Sequence, residues 1–209
     1  MTAQTIIELF ELKVDDTTEL STAEELALLN RIYQMVCDDR PWEILKKSAD
    51  GTMTTTTTIT APTDFAYLVE NVNYTDNSWS TEINSKPAGV LINGNKWLKL
   101  INWSDRRQYT NADGYVYYDP TAGALVTTYA QPAGATYSFD YKSVPADLTL
   151  GTEPVFPERF HSMFAYAMAT DNMATQLFDK ARSYAQENER VYLQYLQRMA
   201  VWNANLLSN

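Results

Sequence analysis

Thr136-Tyr137-Ser138-Phe139-Asp140-Tyr141-Lys142-Ser143-Val144-Pro145 alternates aromatic rings with small or charged residues. A period of two is the signature of a strand with one face buried. The proline closes it, because Pro has no N–H to give a ladder. Upstream, further strands are predicted at 78–83, 96–103, 114–118 and 125–129, with Tyr115 and Tyr117 repeating the alternation. Turn sequences punctuate this region: Asn93-Gly94-Asn95, Asn111-Ala112-Asp113-Gly114, Asp119-Pro120-Thr121-Ala122-Gly123 and Gln131-Pro132-Ala133-Gly134. The Thr-rich run 52–60 is β-branched and reads as a strand before Ala61-Pro62. Phe65, Tyr67, Leu68 and Val69 read as one helical turn or the start of a strand. Short strands with frequent turns predict an antiparallel β-sandwich or small β-barrel, with core residues drawn from Tyr117, Tyr137, Phe139 and Tyr141.

Outside this region the apolar period changes to that of a helix. Ile6, Ile7, Leu9, Phe10 and Val14 predict a short helix over 5–14. Ser21 with Glu24 three residues on is a capping box, followed by Leu26, Leu29, Ile32, Tyr33 and Val36 at spacings of three and four. Arg40 precedes Pro41 and is pushed out of the helical region, so this helix ends there. Trp42, Ile44 and Leu45 read as one further turn. Beyond Pro145 an irregular connection leads to Pro157, which suits a first helical turn. Phe160, Met163, Phe164, Ala167 and Met168 share one face, and Thr170-Asp171-Asn172 reads as a bend or break. Leu177, Ala181, Tyr184, Val191, Tyr195, Leu196 and Met199 continue at helical spacing. The expected architecture is α+β: a helical bundle from 1–50 and 155–209 around a β domain at 51–154.

The chain has 209 residues, one Cys and one His. A single cysteine cannot form an intrachain disulfide, and one Cys with one His makes no zinc site within one chain. No apolar run is long enough for a membrane helix, and the first residues lack the basic region of a signal peptide. Sixteen Lys+Arg against 26 Asp+Glu give a net charge of −10, which opposes broad binding of nucleic acid. The excess is uneven: residues 1–50 carry 5 basic and 11 acidic side chains, whereas 155–209 carry 5 of each. Such asymmetry suits helices that meet neighbours in an assembly, although a solvated helical face has the same composition.

The ingredients of catalysis are missing. His161 is the single imidazole and has no nucleophile at a diagnostic spacing; a packing role suits it better. Cys37 lies beside Asp38 and Asp39, whose charges oppose a thiolate. Asp15-Asp16 and Asp38-Asp39 lack the spacing of a calcium loop, and there is no phosphate-binding glycine loop or nucleophile elbow. Arg106-Arg107 could meet a phosphate or a partner's carboxylate, with a solvated strand end as the plainer reading. Catalytic, cofactor and metal residues are therefore expected to be none, and no cofactor is expected.

Three blocks carry a resemblance. The first is Glu25-Leu26-Ala27-Leu28-Leu29-Asn30-Arg31-Ile32-Tyr33-Gln34-Met35-Val36 with Trp42-Glu43-Ile44-Leu45-Lys46-Lys47. The second is Ala61-Pro62-Thr63-Asp64-Phe65. The third is Phe139-Asp140-Tyr141-Lys142-Ser143-Val144-Pro145-Ala146-Asp147-Leu148-Thr149, then Pro154-Val155-Phe156-Pro157-Glu158-Arg159-Phe160-His161. In this order they resemble the head-to-tail adaptor, or connector, proteins of short-tailed (podovirus-type) bacteriophages. The resemblance implies a structural virion protein: a dodecameric homo-oligomeric ring beneath the portal protein. Such a ring extends the DNA channel, through which DNA passes without specific binding, and is a platform for tail nozzle and fibre proteins. It implies assembly in the host cytoplasm, a final place at the head-to-tail junction of the virion, and no membrane partner.

Tyr184, Tyr192, Tyr195, Met199 and Trp202 span more than one face of the last helix and are expected to form an interface as well as core. On that reading, removing 194–209 would spare monomer folding and abolish assembly. Two other functions compete. A glycan-binding β-sandwich module of a tail or fibre assembly would use exposed Tyr and Trp in the turns. A metal-assisted hydrolase would use the clustered aspartates.

Overall fold

The computed structural model describes residues 1–14, 20–69, 87–174 and 179–207, and side chains outside 173–183 and 207. The strand expected at 78–83, the Asp15-Asp16 pair and the side chains of Leu177 and Ala181 lie outside the described residues. The fold is α+β. The chain divides into two compact units, Met1–Leu45 with Pro145–Asn209, and Lys46–Val144. These limits differ from 50/51 and 154/155 because a strand already begins at Lys46 and the last strand ends at Ser143.

The first unit holds α1 (Ala3–Val14), α2 (Thr22–Asp39), α3 (Ser162–Ala174) and α4 (Asp179–Leu207). Ala3, Ile6, Ile7 and Phe10 give α1 its buried face. The capping box forms at the start of α2: Ser21 N donates to the Glu24 carboxylate at 2.8 Å, and Glu24 N donates to Ser21 Oγ at 3.4 Å. Arg40 is extended, with φ −159°, so α2 stops before Pro41. A 3₁₀ turn follows at Glu43–Leu45, and Trp42 Nε1 donates to Val36 O at 2.6 Å. In α3, Met163, Phe164, Ala165, Ala167, Met168 and Ala169 are all buried. A helix apolar all round belongs in the interior, and α3 packs against α1, α2 and α4. The break expected at Thr170-Asp171-Asn172 does not occur. Thr170 Oγ1 donates to Tyr166 O at 2.9 Å, which satisfies the hydroxyl inside the helix, and Asp171 pairs with Arg31.

The second unit is one curled sheet forming a half-barrel. Its strands are β1 (Lys46–Thr52), β2 (Thr58–Thr60), β3 (Phe65–Leu68), β4 (Gly89–Ile92), β5 (Lys96–Leu100), β6 (Tyr115–Asp119), β7 (Ala124–Thr127) and β8 (Thr136–Ser143). The order is β1-β8-β4-β5-β6-β7-β2, with β3 also on β8. Thus β8 is the hub: β1 covers one edge from Thr136 to Lys142, while β4 and β3 share the other. Neighbours are antiparallel except β5 and β6, which run parallel and are joined by the crossover 101–114. Parallel strands need a connection of about a dozen residues or more. The Thr-rich run is not one strand. Strand β1 ends at Thr52 and β2 holds only Thr58–Thr60, because Thr56 O and Thr57 O accept from Gln131 N and Thr127 N across the bend.

Between β4 and β5, Asn93 and Gly94 have φ of 49° and 70°, the doubly left-handed turn that fits a hairpin's twist. Val90, Ile92, Leu98, Val116, Leu125, Phe139 and Tyr141 fill the core. Tyr137 packs against it. Tyr117 lies on the opposite face of β6 from buried Val116, with its ring 5.4 Å from that of Trp103.

Two glycines lie under rings. A Cβ on Gly51 would meet the Tyr137 hydroxyl at 2.7 Å, whereas one on Gly89 would meet Leu98 O at 2.2 Å and Trp97 Nε1 at 2.8 Å. A phenol tip can swing away; a strand carbonyl cannot. Gly89→Ala should therefore cost about 1–3 kcal/mol in urea unfolding, the usual range for overpacking, and Gly51→Ala distinctly less. Equal losses would contradict this assignment of rigid and yielding neighbours.

Candidate functional site

The residues expected at an interface all lie on α4. Met199 is wholly buried, and Tyr192, Tyr195, Leu196 and Trp202 pack against the same core. The Trp202 ring lies 5.8 Å from Phe160, and Tyr195 stacks on Tyr166 at 6.1 Å. Tyr184 is exposed. The outward side of the helix presents Glu187, Arg190, Gln194, Gln197 and Arg198 together with exposed Leu193, Val201 and Leu206, so polar and apolar side chains are mixed there. Asn203, also buried, accepts from Glu43 N at 2.7 Å. Removing 194–209 would therefore strip the unit's own core, and the expectation that it spares folding is corrected.

The third sequence block threads this core. Phe156 is buried edge-on to Trp42 at 5.4 Å and to Tyr33 at 6.4 Å. His161 is buried; Nε2 donates to Phe156 O at 2.6 Å, and Nδ1 accepts from Met1 N at 3.1 Å. The imidazole thus pins two backbone segments and faces no nucleophile. One flank of α2 secures the chain leading into this block. Asn30 Nδ2 donates to Leu148 O at 3.0 Å and Asn30 Oδ1 accepts from Leu148 N at 2.7 Å. Gln34 Nε2 donates to Pro145 O at 3.0 Å, and Val155 N donates to Tyr33 OH at 3.3 Å. Sequence reading passed over Asn30 and Gln34; their signal was a polar pair four residues apart beside apolar Leu29 and Tyr33.

The second block works in the β unit. Asp64 Oδ2 accepts from Lys47 Nζ at 2.6 Å, and Oδ1 accepts from Tyr141 OH at 2.9 Å. Asp64 O accepts from Val144 N at 2.8 Å. The next ring, Phe65, stacks on Tyr141 at 5.7 Å and lies 5.0 Å from Tyr118. The Lys47 ammonium, helped by the Tyr141 hydroxyl, holds the Asp64 carboxyl below its ordinary value. Burial, together with the Asp64 carboxylate, pushes the Tyr141 phenol up to about 12.

The remaining candidates have structural surroundings. Cys37 is buried on α2, near Tyr33, whose phenol burial pushes upward. Glu25 is almost wholly buried, and burial and the Glu11 charge raise its carboxyl. Asp39 pairs with Arg40 at 2.6 Å. Among the described residues, no group of three or more His, Cys, Asp or Glu could hold a metal ion, and no helix is long and apolar enough to cross a membrane. An open groove of about 480 Å³ runs along α2 past Ala23, Ala27 and Arg31 to Asp147. In the crossover 101–114, Arg106 Cζ lies 3.6 Å from the Trp103 ring centre.

A model of the family described as SU10 adaptor protein matches residues 1–206. No curated protein matches the chain.

The Asp64 cluster sets an acid limb on stability. Its folded value is depressed, so its contribution is complete above the unfolded carboxylate value of about 4 and is lost as pH falls through the folded value. Urea unfolding of wild type and Asp64→Asn at several pH values should show a constant gap above about pH 5 that closes in acid. A gap unchanged down to about pH 2 would remove the ion pair from the account.

Proposed function

This chain belongs to the SU10 adaptor protein family, and we propose that it is the subunit of a ring joining phage head to tail. It is a phage adaptor-type protein. In the proposed arrangement the copies close a dodecamer beneath the portal, lengthen the channel for DNA, and offer a platform to the tail nozzle and fibres. The observation that carries this reading is the family match over residues 1–206, which takes in both units.

Physical chemistry supports it. The three sequence blocks hold backbone to backbone and ring to ring, and Asn30, Gln34, Asp64 and His161 use their polar atoms in doing so. That is the use a subunit makes of its residues when its task is mechanical. The helical unit carries 8 basic and 17 acidic side chains, against 8 and 9 in the β unit. An acidic wall lets a polyanion slide, because few cations are there to displace counterions from its phosphates. Head-to-tail contacts between copies close into a ring when the rotation fits.

Native mass measurement and electron microscopy of the purified chain, with and without the portal protein of its phage, test the proposal. A closed ring that seats on the portal is expected. A chain that remains monomeric with the portal present would overturn it.

A further inference from the structure

We propose that the crossover between β5 and β6 docks on the acidic helical unit of a second copy of this chain. The contact deepens the ring reading and rests on it. Residues 101–114 carry an ordered cation on an aromatic seat. The Trp103 ring meets Tyr117 edge-on at 5.4 Å. The Arg106 guanidinium lies over the indole at 3.6 Å and donates through Nη1 to Trp103 O at 2.6 Å. Tyr109 leans on Tyr115 at 4.5 Å. Arg107 is exposed beside them.

Among the described residues, Arg31, Arg40, Lys47 and Lys96 pair with aspartates and the Met1 amino group with Glu153 and Glu158, and neither Arg106 nor Arg107 belongs to these pairs. This is notable in a chain where acids outnumber bases 26 to 16. The Arg106 head is already oriented by the indole, so ordering it on contact costs little further side-chain entropy. Trp, Tyr and Arg together are also the residue types that dominate binding energy at protein interfaces.

Charge identifies the occupant. The helical unit carries 17 of the 26 acidic residues, with exposed carboxylates at Glu187 and Glu189 on α4. At the C-terminal end of α2, Asp38 and Asp39 lie at the negative end of the helix dipole, where Arg40 pairs with Asp39. A second copy therefore offers the arginine pair an acidic surface. DNA is the other anionic candidate, but a net charge of −10 opposes its approach.

The test uses the full chain. R106E/R107E should raise the concentration needed for half-assembly by more than about tenfold, the scale of losing interface hot spots. R107E alone, which removes no side-chain bond among the described residues, should give a smaller shift in the same direction and an unchanged melting temperature. In R106K/R107K, zero-length carbodiimide coupling on mixed isotope-labelled and unlabelled protein should join positions 106 and 107 to carboxylates of residues 1–45 or 145–209 in another copy. Unchanged assembly of both charge-reversal variants would overturn this contact while leaving the ring reading intact. So would assembly that persists while DNA retention alone is lost, or coupling confined within one copy. A wild-type chain that never self-associates would end both readings.

Discussion

The β unit interrupts the helical one, so its first and last strands have to meet. They do so as β1 and β8, paired from Lys46 opposite Lys142 to Thr52 opposite Thr136. Antiparallel neighbours stand about 5 Å apart at Cα, so the chain departs and returns within one strand spacing. Asp64 sits at this closure and holds both strands at once, through Lys47 on β1 and through Tyr141 and the Val144 backbone N–H at the end of β8. The Ala-Pro-Thr-Asp-Phe block is therefore a clasp on the insertion. Phe65 then carries the clasp into the core through its stack on Tyr141.

The helical unit meets the returning chain with a different device. Residues 145–155 have no strand or helix of their own, and their backbone groups need partners. Asn30, Tyr33 and Gln34 supply several from one flank of α2. That fixes the path into Phe156, whose ring sits among Tyr33, Trp42 and Phe164. His161 ties the same turn to Met1 N. In both units polar side chains serve to secure chain crossings. What is left for partners is the surface, where α4 exposes Leu193, Val201 and Leu206 among polar residues and the crossover 101–114 exposes Arg107 beside the Trp103–Arg106 stack.

Sequence reading succeeded where local chemistry alone sets the outcome. Ser21 with Glu24, Arg40 before Pro41, and Asn93-Gly94 each act through backbone rules within a few residues. The alternation of Tyr137, Phe139 and Tyr141 survived because β8 has neighbours on both edges. Where structure comes from distant pairing, the reading missed. Strand β1 is Lys-Lys-Ser-Ala-Asp-Gly-Thr, which has little strand propensity and exists because β8 templates it. Strand β4 is four residues long, too short to show a period. The Thr run had the propensity but was bent by hydrogen bonds from Thr127 and Gln131. On α4, Tyr192, Tyr195, Met199 and Trp202 were legible as important, yet their inward direction depends on where α3 lies.

The central place of β8 also governs how this chain must be made. Strands β1, β3 and β4 all wait for it, and Lys46 meets Lys142 only after a loop of nearly the whole unit has closed. Likewise Ile6, Phe10 and Leu29 find their cover on α3, which is translated after the entire β unit. At roughly 5–20 residues per second, the two N-terminal helices spend on the order of ten seconds beyond the ribosome with their apolar faces bare. Splitting one helical core around the β unit thus exposes its first half to solvent until the second half is made.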